Sequence, residues 1–440
     1  MTMLACGDVI YLDDVYDQVV VQKFLDEGGQ GEVYQVLFQG KPYALKYYKP
    51  GLKVDEMYNI IYSNMKKGAP DENFLWPLHI TRKDPVRKSF GYLMELYDPA
   101  RYKSLSEFRY SKRTGVAFAT FDSMYNAAYN ICKSFRKLHF SGYTYMDISD
   151  RNILADPNTG EVLICDCDNC IPSVSKLNPG IVGTPGFMAP EILMGECRPN
   201  RSSDQFSLAV LLFELFYVDH PLEGAATLSR PLTDQLGALM FGKYATFVMK
   251  PGKNPNGPVP GKTDTVIKRW NGNMYPEDMK EIFLRAFTTG LDKNGRLLET
   301  EWIRLLVKLR GQTLTRGTKS QFVNAYKQEA LPKDAFAARC GNLRFVLAPG
   351  SSIYKTQLQD GEVNLNQLQG QDEDDFHKVV ARVGASSAKE RMVCIRNEMK
   401  DCTWQIASPK LKNHMAAFGD VVVLEHGMKI FIRGKVIHIL

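Results

Sequence analysis

Asp147 and Asn152 stand five residues apart in Tyr145-Met146-Asp147-Ile148-Ser149-Asp150-Arg151-Asn152. In a loop of this kind the aspartate can accept a hydroxyl proton and the asparagine can hold a magnesium ion. A strand (Asn152 to Ala155), a turn (Asp156-Pro-Asn-Thr-Gly160) and a second strand (Glu161 to Cys165) then lead into Asp166. Carboxamide and carboxylate groups delivered by one hairpin can converge on magnesium, which prefers oxygen ligands. Far upstream lies Asp26-Glu27-Gly28-Gly29-Gln30-Gly31-Glu32-Val33. Its glycines let backbone amides approach phosphate oxygens with no Cβ in the way. Lys46 follows on the next strand.

The elements that must position these residues are legible from pattern. Val19-Val20-Val21, Glu32 to Phe38 and Tyr43 to Tyr48 read as strands, with Gln39-Gly40-Lys41-Pro42 as a turn. Residues 54–68 read as a helix ending at Gly68, and Ser89 to Tyr97 as another strand. After Pro99 the chain turns helical: Met124 to His139 has amphipathic spacing, and Ser203 to Tyr217 reads as a buried helix. Residues 250–264 are a Pro/Gly-rich excursion, and 311–338 read as a linker with one short helix. From Cys340 onward short β runs are split by glycines: Leu343 to Leu347, Val379 to Val383, Met392 to Arg396, Val421 to Leu424 and Lys429 to Arg433. That spacing predicts a small β-sandwich.

Composition bounds the function. The 440 residues are 44% apolar and 24% charged with net charge +6, which excludes a disordered tail and a strongly basic nucleic-acid binder. No apolar run reaches the roughly 20 residues of a membrane span. The nine cysteines are irregularly spaced and do not read as a disulfide scaffold. The expectation is a soluble, cytoplasmic protein with neither nucleic acid nor membrane as partner. Cys167-Asp168-Asn169-Cys170, a Cys-x-x-Cys with no partner pair, reads as packing at a strand end. The acidic run Asp372 to Asp375 reads as a solvated loop, and Lys410 to Lys412 is too short for a nucleic-acid patch.

Two further stretches complete the pattern: Gly183-Thr184-Pro185-Gly186-Phe187-Met188-Ala189-Pro190-Glu191 and Ser203-Asp204-Gln205-Phe206-Ser207. From about Val19 to Leu309 the chain resembles a eukaryotic-type (Hanks-type) protein kinase, most like the bacterial serine/threonine branch. The resemblance implies a two-lobed α+β fold, with an N-lobe over 1–97 and a C-lobe over 98–310, followed by the linker and a β-sandwich-like domain over 339–440. It implies ATP and Mg²⁺ as cofactors, protein hydroxyls as substrate, and a cognate metal-dependent phosphatase as partner. By position, Asp147 is the catalytic base and Lys46 the phosphate lysine, with Gly28, Gly29 and Gly31 in the phosphate loop. Val33 and Ala44 roof the adenine, Met94 is the gatekeeper, and backbone groups of Glu95 and Tyr97 read the base. Asn152 and Asp166 are the metal ligands, Glu191 pairs with Arg296, and the hydroxyl of Thr184 bonds Asp147, which favours serine or threonine over tyrosine.

This sequence departs from the family at several positions. Asp26 replaces the first loop glycine, Ser149 replaces the usual lysine, and Asp166-Cys167-Asp168 lacks the phenylalanine and glycine. Asp168 is therefore a rival to Asp166 as metal ligand. The helix glutamate that should pair with Lys46 is Glu56 or none. Met146 stands where many kinases carry a phosphate-binding arginine, so activity is not expected to need phosphorylation of Ser173 or Ser175. The β domain is faintly similar to forkhead-associated sandwiches but lacks their Ser-x-x-His pair. Every catalytic residue lies before 310, so a chain ending there is expected to be competent. The alternative reading is a pseudokinase, a nucleotide-binding docking module.

Overall fold

The computed structural model describes all residues except 1, 52, 174–182, 230, 273, 317–318, 328–330, 360–374, 388–391 and 410–412. Ser175, Asp372 to Asp374 and Lys410 to Lys412 thus lie outside the described residues. The N-lobe is an antiparallel sheet of β1 (Val9–Tyr11), β2 (Gln18–Glu27), β3 (Gly31–Phe38), β4 (Lys41–Tyr48), β5 (His79–Ile80) and β6 (Gly91–Met94), in the order β1-β2-β3-β4-β6-β5. The expected turn between β3 and β4 is present, with positive φ at Gln39 and Gly40, the backbone a two-residue hairpin requires. Side chains of β4 alternate between faces. Leu45 and Tyr47 join an outer cluster with Val36 and Tyr34, while Ala44 and Tyr48 join an inner one with Phe90 and Tyr92. Lys46 shares the inner side with Ala44 and Tyr48. Helix α1 (Val54–Lys67) covers it with Met57, Tyr58 and Ile61.

The C-lobe is helical around three segments. Phe121–Phe140 starts at a capping box in which Thr120 and Ser123 satisfy each other's amides. Arg201–Tyr217 is buried along nearly its whole length, and Glu299–Gly311 packs against Phe121–Phe140. Between the first two, strands Ile153–Ala155 and Val162–Ile164 pair antiparallel.

After Gly311 the stretch expected as a linker with a short helix instead forms an antiparallel hairpin, Thr313–Arg316 with Lys319–Phe322. It is tied back to the C-lobe, since Tyr125 and Thr313 share a hydroxyl hydrogen bond of 3.1 Å and Phe121 donates its amide to Ser320. The C-terminal β region holds two sheets. One runs Leu343–Leu347, Phe336–Cys340, Lys435–Ile439, Lys429–Ile432, Trp404–Ala407, His414–Ala416, and the other Ser352–Tyr354, Val379–Ala385, Val393–Asn397, Val421–Val423. Five of these ten strands escaped the pattern reading. Their apolar faces and those of the C-lobe form one continuous core, from Trp302 and Leu306 through Phe345 and Ile353 to Trp404. The Tyr129 ring stacks on Phe376 at 3.9 Å. Arg310 lies over the rings of Tyr354 and Phe376 and donates to the Phe376 carbonyl at 2.7 Å. The β region is fused to the lobe, so a chain ending near 310 would lose part of the core the two share.

Candidate active site

The catalytic loop is held from below by buried charge. Asp204, in Arg201–Tyr217, accepts the backbone amides of Tyr145 (2.8 Å) and Met146 (3.2 Å). The same carboxylate bonds His139 Nε2 at 3.1 Å, and His139 Nδ1 meets Glu299 at 2.7 Å. Burial alone would lower the His139 pKa, but its bonds to Asp204 and Glu299 prevail and raise it to about 9. The imidazolium thus stitches three helices beneath the loop. Met146, directly before Asp147, adopts a left-handed backbone (φ +70°).

Asp147 is set by two side chains. Thr184 donates its hydroxyl to one carboxylate oxygen at 2.6 Å, as the resemblance implies, and Asn152 donates Nδ2 to the other at 3.1 Å and to the Asp147 carbonyl at 2.9 Å. Burial lifts the Asp147 carboxyl above its usual value against these two hydrogen bonds, which hold it down. With Nδ2 spent on Asp147, the side-chain oxygen of Asn152 is the atom it can offer to a cation. Ser149 is buried, and its hydroxyl has no hydrogen-bond partner among the described residues. Arg151 beside it is exposed.

The two aspartates of the 166–168 triplet meet on Lys46 but differ in burial. Asp166 has a left-handed backbone (φ +48°) that leads into a 3-10 turn, Cys167–Asn169. Its side chain is 43% exposed at the cleft and accepts from Lys46 Nζ at 3.1 Å. Asp168 has a fully buried side chain and receives Lys46 Nζ on both oxygens, at 2.9 and 2.8 Å. Tyr48 donates its hydroxyl to Asp168 Oδ2 at 2.7 Å and Tyr92 to Oδ1 at 3.2 Å. Burial opposes the Lys46 charge, but Asp168 and Asp166 outweigh it and hold the ammonium well above its ordinary pKa. Glu56 is not the partner of Lys46: it sits half-exposed at the start of α1, beside Lys53 at 3.5 Å. The reading of the sequence missed Asp168, Tyr48 and Tyr92 as a clamp; its one available signal was a second aspartate in the triplet.

The remaining residues line the same cleft. Gly28 donates its amide to the Gly31 carbonyl at 2.8 Å and closes the turn that also holds Gly29, and a Cβ on Gly31 would stand 2.6 Å from the Tyr47 carbonyl oxygen. Ala44 and Met94 are buried in one cluster against which Val33, Leu96, Tyr97, Leu163 and Cys165 pack. That brings the expected adenine-side residues together and adds Leu163 and Cys165 opposite the roof. Glu95 is exposed just after β6. Arg296 donates to Glu191 at 2.7 Å, with its guanidinium over Phe206, so the expected pair is formed. Cys167 and Cys170 are buried free thiols. Burial pushes both thiols up.

A β-rich lobe over a helical lobe, with a glycine turn, a paired lysine and an aspartate–asparagine loop meeting between them, defines the architecture of a protein kinase. Residues 19–250, just over half of the chain, match the protein kinase domain family, and the chain belongs to that family. Over 310 residues, 66% of its length, it is 24% identical to Protein kinase YegI of Escherichia coli (strain K12), covering 44% of that protein. Over 230 residues it is 27% identical to Beta-adrenergic receptor kinase 1 of Homo sapiens, covering 32% of it. The chain thus spans less than half the length of each of these relatives. Among the described residues no helix is long and apolar enough to cross a membrane.

Proposed function

We propose that this chain transfers the γ-phosphate of ATP to serine or threonine hydroxyls of proteins, its own included. The observation that carries the reading is the convergence of Lys46, Asp147, Asn152 and Asp166 on one cleft, with Thr184 bonded to the carboxylate of Asp147. Asp147 takes the proton of the substrate hydroxyl as its oxygen attacks the γ-phosphorus and ADP leaves. In this reading Lys46 takes the α- and β-phosphates, and the Gly28–Gly31 turn offers them its backbone amides. The Asn152 carbonyl oxygen and the Asp166 carboxylate make an all-oxygen donor pair suited to Mg²⁺, which when bound neutralises phosphate charge. Asp168 is unsuited to that task because its oxygens are already taken by Lys46, Tyr48 and Tyr92.

Tyrosine specificity is disfavoured by the bond from Thr184 to Asp147. A lobe division at about 97, a cytoplasmic location and a metal-dependent phosphatase partner belong to the same reading. A docking pseudokinase is the second reading, favoured by the buried Ser149 in place of a lysine. Purified full-length protein with γ-labelled ATP and Mg²⁺ separates the two. Label on the protein and on a generic substrate, recovered as phosphoserine or phosphothreonine, supports transfer. Nucleotide binding without label overturns it in favour of docking, and phosphotyrosine overturns the specificity.

A further inference from the structure

A buried ammonium needs a carboxylate, because an unpaired charge in a low-dielectric interior is costly. Helix α1 cannot supply one to Lys46. Its inward residues are Met57, Tyr58, Ile60, Ile61 and Asn64, and its two acids face outward, Asp55 to Lys83 and Glu56 to Lys53. The carboxylate comes instead from the segment that carries Asp166. The left-handed turn at Asp166 and the short 3-10 helix after it, closed by Asn169 donating to the Asp166 carbonyl and Cys170 to that of Cys167, let residues 166 and 168 both reach the Lys46 ammonium. The first is part-exposed and the second buried. Asp168 then takes four hydrogen bonds on its two oxygens, from Lys46 twice and from Tyr48 and Tyr92, with the Lys46 ammonium 5.8 Å over the Tyr48 ring. Tyr48 lies two positions beyond Lys46 on β4, and Tyr92 is the register partner of Lys46 on β6. The clamp is therefore built from the sheet and the metal-binding segment alone.

We propose that Asp168 is the positioning residue of Lys46, in place of a carboxylate on α1. The lysine is thereby locked to the same segment as Asp166. Displacing α1 removes no carboxylate from the ammonium, so that helix acts on the lysine only through the 166–170 segment, which it meets where Asn64 donates to the Cys170 carbonyl. Whatever dislodges the 166–170 segment removes the lysine and Asp166 from register together. This rests on the reading of the cleft as an ATP site.

A double-mutant cycle in the full chain tests it, with a fluorescent ATP analogue for affinity and initial rate as a second readout. Asp168→Asn is expected to lower the rate by roughly ten- to a hundredfold, and Asp168→Glu to recover part of that. Added to Lys46→Met, Asp168→Asn is expected to cause no further loss in either readout, the non-additivity of groups that act as one unit. Glu56→Gln should stay within about twofold of wild type. Additive losses in the cycle, a wild-type-like Asp168→Asn, or damage from Glu56→Gln equal to that from Asp168→Asn would overturn the proposal. If Asp168→Asn does not fold, Tyr48→Phe combined with Tyr92→Phe carries the same cycle, since each removes only a hydroxyl. Wild-type protein that fails to bind the analogue overturns the ATP reading and this proposal with it. Binding that depends on Lys46 while the cycle is additive overturns this proposal alone.

Discussion

The two ends of this molecule are joined to its centre by different means. Above the cleft, most apolar side chains of the N-lobe sit in two clusters of their own. The lobe meets the C-lobe through local apolar contacts, Phe74 and Trp76 in the C-lobe core and Ile60 with Met146 and Ile171, and through polar ones. Lys46 pairs with Asp166 and Asp168, and Asn64 on α1 donates to the Cys170 carbonyl at 2.8 Å. Below, the C-terminal β region and the C-lobe share one apolar core, cemented by Tyr129 on Phe376 and Arg310 on Tyr354. Burial of contiguous apolar surface couples regions into one cooperative unit, whereas a few hydrogen bonds contribute about 1 kcal/mol each. The interlobe seam thus mixes local apolar contacts with polar ones, whereas the tail is a structural part of the lower lobe.

The most severe way to break this contrast is to end the chain after residue 310. The cut strips Phe376 from the Tyr129 ring and Tyr354 from Arg310, and the product is expected to lose its cooperative melting transition. A folded, active product would contradict the shared core. A milder cut at the same seam, Phe376→Ala, is expected to cost roughly 3–5 kcal/mol, read by denaturant unfolding. It should lower one transition common to C-lobe and tail, and separate transitions would count against fusion.

The charge stitch beneath the catalytic loop gives a pH signature to the lower lobe. The His139 pKa is raised from 6.5 to about 9 in the folded state. Its stabilising contribution is therefore complete below pH 6.5, declines as pH rises through that window, and is gone above about 9. Unfolding free energy should fall by on the order of 3 kcal/mol across the window, and a flat profile would refute an imidazolium there. Smallest is the interlobe tie: Asn64→Ala should cost about 1–2 kcal/mol. A larger loss in denaturant unfolding would mean the lobes are more tightly welded than this comparison holds.

The parts legible in the sequence were those set by short-range pattern. Gln39-Gly40 made a turn, the alternation of β4 put Lys46 on the inner face, and the loop from Asp147 to Asn152 closed on itself within five residues. Pairs separated by long stretches of chain were legible only where the family resemblance carried them, as with Thr184 on Asp147 and Arg296 on Glu191. Asp168 had no such guide. Its partnership depends on a left-handed φ at Asp166, which a non-glycine residue rarely adopts, and on two tyrosine hydroxyls from other strands. The fusion of the tail was hidden for a similar reason: ring stacking between Tyr129 and Phe376 leaves no periodic trace. The strands missed there are mostly three to five residues long, too short for alternation to stand out.

The central claim is that Asp147 moves the proton in a working phosphotransfer site, and Asp147→Asn tests it most directly. Label transfer from γ-labelled ATP and affinity for a fluorescent ATP analogue are measured on the same full-length preparation. Transfer is expected to fall by about a hundred- to ten-thousandfold, with affinity within about threefold of wild type, since the base acts on the hydroxyl and not on the nucleotide. Transfer near the wild-type rate would contradict the claim.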